Sequence, residues 1–159
     1  MSIIDELLNF IQQHPRLLVI TGAGCSQPSG IPTYRDEEGA WQRSTPIQHK
    51  EFMEIESVRK RYWARSYSGW PSIRGATPNN AHHSLKSLEA LGYIQQLVTQ
   101  NVDGLHQAAG HKSVVDLHGR LSEVVCTQCG KLSARERLQR RFTDLNSNLS
   151  ADYETLQPD

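Results

Sequence analysis

The stretch Leu17-Leu18-Val19-Ile20-Thr21-Gly22-Ala23-Gly24-Cys25-Ser26 runs from aliphatic residues into two glycines separated by one residue, then into a turn of small side chains. An apolar run of this kind, bounded by turn signals, reads as a strand buried on both faces of a parallel sheet. Glycines just past such a strand let backbone N–H groups approach a phosphate closely, often at a helix N-terminus. Gln27 stands where G-x-G-x-x-G requires its third glycine, so the spacing departs from the dinucleotide fingerprint. By itself the loop fits a tight turn as well as a nucleotide site.

Ahead of this strand, Ser2 can cap a helix carrying Ile4, Leu7, Leu8 and Ile11 at helical spacing and ending before Pro15. Beyond the glycine loop, a polar passage to about Pro46 precedes a helical pattern with Phe52, Ile55, Val58 and Tyr62. Its Arg59, Lys60, Arg61 and Arg65 read as a solvated face, with contact to an anion as the other reading. Thr77-Pro78 predicts a cap and first-turn proline for a helix with Ala81, Leu85, Leu88 and Leu91, closed by Gly92. Tyr93 to Thr99 and Ser113 to Leu117 read as further strands. Ser133 and Glu136 form a capping-box pattern ahead of Leu138, Phe142 and Leu145.

Four motifs follow one another in order. The glycine loop continues as Gln27-Pro28-Ser29-Gly30-Ile31-Pro32-Thr33-Tyr34-Arg35-Asp36, and Thr99-Gln100-Asn101-Val102-Asp103-Gly104-Leu105-His106 lies further on. Asp116-Leu117-His118-Gly119 and Cys126-Thr127-Gln128-Cys129-Gly130 come next. Together they resemble the sirtuin family, the NAD-dependent protein deacylases. Tyr34-Arg35-Asp36, Tyr62-Trp63-Ala64-Arg65-Ser66 and Ala81-His82-His83 are most similar to its class II branch.

The resemblance implies an α/β fold: part of a Rossmann-like parallel sheet, with the start of a small zinc-binding module. Residues 1–120 would be the N-terminal part of the NAD-binding domain and 121–159 an incomplete zinc module. A complete sirtuin is longer, so the chain reads as an N-terminal fragment that lacks a second cysteine pair. Implied cofactor contacts are Gly22, Ala23, Gly24, Ser26, Tyr34, Arg35, Gln100, Asn101, Val102 and Asp103. His118 and Asn101 are the implied catalytic residues, with an acyl-lysine protein as substrate and NAD as co-substrate.

The residue types suit that chemistry. Cleaving the nicotinamide–ribose bond builds positive charge on the sugar, so the leaving group must be held. The Asp103 carboxylate can accept from the carboxamide N–H groups; it can equally cap a following helix. Asn101 and Gln100 each donate and accept, which suits ribose hydroxyls and an ordered water, or turn chemistry in a polar loop. His118, at a strand end beside Gly119, is the expected proton carrier, because imidazole titrates near neutrality. The other histidines, at 14, 49, 82, 83, 106 and 111, read as structural, although His106 lies within a matched motif.

Arg35 can pair with the diphosphate, and Tyr34 can shield the ribose from water. Thr33 and Cys25 stand where sirtuins mostly carry Asp and an aliphatic residue. Thr33 keeps only a hydroxyl, and Cys25 reads as a small packing residue or a reactive thiol. Cys126 and Cys129 are expected as zinc ligands, but no cysteine or histidine follows from Gly130 to Asp159. Structural zinc takes four ligands, so this is half a site, and the region after Leu121 is expected to be poorly ordered.

Seventeen basic and seventeen acidic side chains balance, which excludes a global field for nucleic acid or membrane. The longest aliphatic run, Leu17 to Ile20, is far too short for a membrane span, and no signal-peptide pattern precedes it. Three cysteines, two in C-x-x-C, argue against a disulfide framework and for a cytoplasmic protein. Besides the deacylase, the alternatives are a catalytically silent remnant and a zinc-ribbon-like binding or scaffold module. A cut parallel sheet also leads us to expect self-association, or aggregation, through its open boundary.

Overall fold

The computed structural model describes residues 2–36, 38–40 and 46–146. The chain forms two compact units, Met1–Ile31 with Ala76–Leu121 and Pro32–Gly75 with Ser122–Asp159. The polar passage before Pro46 lies partly outside the described residues.

In the first unit, α1 (Ile3–Gln13) is started by Ser2 and Asp5 in a reciprocal capping box. Then follow β1 (Leu17–Thr21), a 3-10 helix (Ala23–Ser29), α4 (Asn80–Ala90), β2 (Ile94–Thr99), α5 (Leu105–Ala108) and β3 (Val114–Asp116). The strands are parallel in the order β1-β2-β3, with Thr21 opposite Thr99 and Thr99 opposite Asp116. The partial Rossmann-like sheet is therefore present, and its carboxyl ends are level.

Two expectations need correcting. Asn79, not Thr77, caps α4, because its side-chain oxygen accepts from the Ala81 amide at 2.9 Å. β1 is not buried on both faces: Leu18 and Ile20 stay 63% and 64% exposed, while Leu17, Val19 and Thr21 turn inward. The aliphatic run records burial only where a second layer exists, and no element covers that face among the described residues.

The core of this unit mixes Ile94, Leu97 and Leu105 with His82, His106 and His111, all buried. Burial pushes the His106 pKa from 6.5 down to about 4, and the neighbouring His82 and His111 add to the shift.

The second unit contains α2 (His49–Glu54), α3 (Glu56–Gly75), the antiparallel pair β4 (Glu123–Val125) and β5 (Leu132–Ala134), and α6 (Arg135–Leu145). The single helical pattern expected from Phe52 to Tyr62 breaks at Ile55, which is extended. Arg59 on α3 donates to the Phe52 and Met53 carbonyls at 3.1 and 2.8 Å, so it serves the α2 C-terminus and is not merely solvated. Lys60 keeps the solvated reading, paired with Glu56 on the surface.

The described residues after Leu121, expected to be poorly ordered, instead fold into the β4–β5 hairpin and α6. They gain their anchor from the guanidinium of Arg135, 2% exposed, stacked over Trp70 at 5.1 Å and donating to the Ser66 carbonyl at 3.0 Å. The expected Ser133–Glu136 capping box is absent: Ala134 precedes α6, and the Glu136 carboxylate accepts from the Trp70 indole at 3.2 Å.

Leu97 is fully buried at the sheet centre. Leu97→Ala should cost about 2–5 kcal/mol, read as a lower urea midpoint; a midpoint shift near zero would mean that the core closes without it. His106 stays neutral in the fold, yet protonates in the unfolded chain below about pH 6.5. Its contribution is therefore complete above that pH and is lost as the pH falls towards about 4. Thermal midpoints should drop between about pH 7 and about pH 5 more steeply in the parent than in His106→Gln; parallel curves would refute this.

Candidate active site

Three loops leave the carboxyl edge of the parallel sheet, the usual place for a ligand in open α/β folds. The first, Gly22 to Ser29, turns straight into the 3-10 helix, with Gly22, Ala23 and Gly24 at its entry. Ser26 is buried, and its hydroxyl donates to Asp103 Oδ2 at 2.7 Å.

The second loop follows β2. Asn101 is buried, and its side-chain amide donates to the Gly22 carbonyl and to Ser26 Oγ, both at 3.0 Å. Gln100 is exposed and donates from its backbone N–H to the Thr21 carbonyl at 3.0 Å. Val102 accepts from the Leu121 amide at 2.9 Å. Asp103 takes up the helix-cap reading: Oδ1 accepts from the Leu105 amide at 2.8 Å, while Oδ2 accepts from Ser26 Oγ. Gly104, at φ 76°, supplies the left-handed turn into α5.

Beneath these loops lies a node that the sequence did not reveal. The Thr21 hydroxyl donates to Thr99 Oγ1 at 2.9 Å and accepts from His106 Nε2 at 2.9 Å. The Asn101 backbone N–H also donates to Thr99 Oγ1, at 3.0 Å. The one available signal was that the first two strands both end in threonine directly before their motifs.

The third loop presents His118. Its Nδ1 lies 3.0 Å from the Gln100 carbonyl, which only accepts, so Nδ1 carries the proton and Nε2 keeps its lone pair. The turn is braced from behind, where the Asp116 carboxylate accepts from Gln107 Nε2 at 2.9 and 3.0 Å and from Arg120 Nε. Gly119, at φ 76°, lets the chain turn away immediately after the ring. The arrangement offers an open imidazole base and a carboxylate–amide–hydroxyl cluster on one sheet edge.

The remaining expected residues belong to the second unit. Tyr34 is half exposed, and Arg35 donates to the Gly39 carbonyl at 2.7 Å. Cys126 and Cys129 are exposed on the turn of the β4–β5 hairpin. The backbone amides of Cys129 and Gln128, and the Cys129 side chain, lower the Cys126 thiol below its usual range. Amides turned towards a sulfur favour the thiolate, the form that binds metal. The donor chemistry therefore fits two ligands of a zinc site.

The chain is similar to curated and solved proteins of one kind. It is 53% identical over 135 residues to an NAD-dependent protein deacetylase of Bradyrhizobium diazoefficiens, covering 85% of this chain and 50% of that protein. It is 47% identical to the mitochondrial NAD-dependent protein lipoamidase sirtuin-4 of Bos taurus, covering 98% of this chain and 50% of that one. A solved Sir2–p53 peptide–NAD+ complex superposes with a TM-score of 0.76 at 33% identity, over 89% of this chain and 56% of its own. The chain thus spans about half the length of the curated relatives it matches. Residues 22–159 match the Sir2 family, and with the Gly22, Asn101–Asp103 and His118 loops converging on one sheet edge, the chain belongs to that family, the sirtuins.

Proposed function

We propose that this chain carries the nicotinamide-side machinery of an NAD-dependent protein-lysine deacylase, which releases nicotinamide and passes the acyl group to ADP-ribose. The observation that carries this reading is the pairing of an open His118 Nε2 with the Ser26–Asp103–Asn101 cluster on one sheet edge. Asp103 and Asn101 hold and orient the leaving amide and the ribose, with Gly22, Ala23 and Gly24 admitting the diphosphate close to the backbone. Ser26 fixes the Asp103 carboxylate so that it need not reorganise when charge develops on the sugar. His118 accepts a ribose hydroxyl proton at Nε2 while the Gln100 carbonyl keeps its tautomer.

In the same reading residues 1–120 belong to the NAD-binding part, and the module from 121 onward holds zinc through Cys126 and Cys129, more weakly than four ligands would. The protein substrate presents an acyl-lysine, and the reaction runs in the cytoplasm; three free cysteines suit a reducing compartment. The 159-residue chain alone should turn over slowly, since binding energy from remote substrate parts positions the reacting centre and the chain matches only half of its relatives.

Titration with NAD followed by amide chemical shifts should perturb Gly24, Ser26, Asn101 and Asp103, and Asp103→Ala should abolish the response. Shifts confined to other residues would overturn the site. Where acyl-lysine-dependent nicotinamide release is measurable, His118→Ala should cut it by about 10²–10⁴-fold; fast release by the unsubstituted 1–159 chain alone would refute its expected slowness. The open β1 face also supports self-association. Sedimentation should show species above the monomer that Ile20→Lys dissolves, and a parent that sediments as a monomer would end that reading.

A further inference from the structure

Beside the loops of the candidate site, but outside the proposed chemistry, three soft donors come together. Cys25 sits on the 3-10 helix, His82 on α4 and His106 on α5, with ligand atoms all within 4.8 Å of one another. Cys25 Sγ is 4.0 Å from His82 Nε2, and the two imidazole centroids are 4.8 Å apart. His82 and His106 are 0% and 1% exposed, whereas Cys25 is half-buried and gives access from solvent.

The hydrogen-bond pattern leaves a nitrogen in need of a partner. The Thr21 hydroxyl spends its proton on Thr99, so it can only accept from His106 Nε2–H. His106 Nδ1 must then carry the lone pair, and it is buried with no hydrogen-bond partner. Buried polar atoms are seldom left so, and an outer contact that fixes the tautomer is how a ligating imidazole is usually held. The Asp103 carboxylate acts electrostatically on Cys25, His82 and His106 together, a field that favours a cation. His111 is not a donor here, since its ring lies against Glu89 at 3.5 Å and the His82 carbonyl at 3.3 Å.

We propose that Cys25, His82 and His106 form a second metal site, for one zinc-class ion, which ties the glycine turn to α4 and α5. One sulfur and two imidazoles suit a borderline-soft divalent ion, with a fourth position left for an outside donor. Tetrahedral bonds of about 2.0–2.3 Å place ligands roughly 3.5 Å apart, so the cluster closes by about half an ångström or more on binding. The Cys25 thiol gives its proton to solvent as sulfur takes the metal. The His82 proton passes from Nε2 to Nδ1, which releases the long 3.3 Å bond from the Asn79 amide. This site is distinct in sequence and in unit from the hairpin thiols Cys126 and Cys129.

The test uses the 159-residue chain with Cys126→Ser and Cys129→Ser, which removes the hairpin thiols. Cobalt(II) should bind in a single equivalent, with a thiolate-to-cobalt charge-transfer band and the visible bands of tetrahedral cobalt. Cys25→Ser should abolish the charge-transfer band, and His106→Gln should weaken binding by about tenfold or more. Alkylation of Cys25 by iodoacetamide, followed by intact mass, should slow by about tenfold with equimolar zinc. That readout needs no substitution within the cluster, so it decides even if His106→Gln unfolds. Absence of the charge-transfer band, or an alkylation rate indifferent to zinc, overturns the proposal.

Discussion

Thr21, Thr99 and Asp116 stand side by side at the carboxyl ends of three parallel strands, and the candidate site depends on that register. In a strand, a slip of one residue carries every side chain to the opposite face. Here such a slip would part the Thr21 and Thr99 hydroxyls and leave His106 Nε2 without its acceptor. The Asn101 side chain would leave Gly22 and Ser26, and only its local backbone bond to Thr99 Oγ1 would survive. Backbone pairing thus sets the site, and the side-chain bonds lock it.

Much of this could be read from the residues in advance. The aliphatic run ending in Gly22 and Gly24, the capped first helix and the Asn101–Asp103 and His118 loops all keep a local signature, because turn chemistry and helical period act over a few residues. What stayed hidden depends on distance along the chain. The partners of Ser26 and Thr21 lie 75 to 85 positions away, and no period reports them. Burial misled for a related reason: Leu18 and Ile20 look like core residues, but whether a second layer covers them is a tertiary fact.

The second unit shows another limit of local reading. Ser133 and Glu136 have the spacing of a capping box, yet Glu136 turns to the Trp70 indole and Arg135 becomes the anchor. A guanidinium is planar and weakly hydrated, so it can lie among Trp63, Trp70 and Phe142 while donating to Ser66. A lysine would bring the charge without the stacking plane. This cation, together with Phe142 packed edge-on against Trp63 and Tyr67, lets α6 dock although most of its residues are polar.

The pairing of β1 with β2 has a kinetic side. Thr21 and Thr99 touch across 78 positions of chain, whereas β2 and β3 are joined by only α5 and its short turns. Closing long loops costs entropy before any contact repays it, and folding slows as contacts become less local. During synthesis β1 emerges early, its aliphatic residues waiting for a partner strand that is still unmade. The loop-closure cost falls on the β1–β2 pairing, and until it forms the aliphatic residues of β1 have no partner strand.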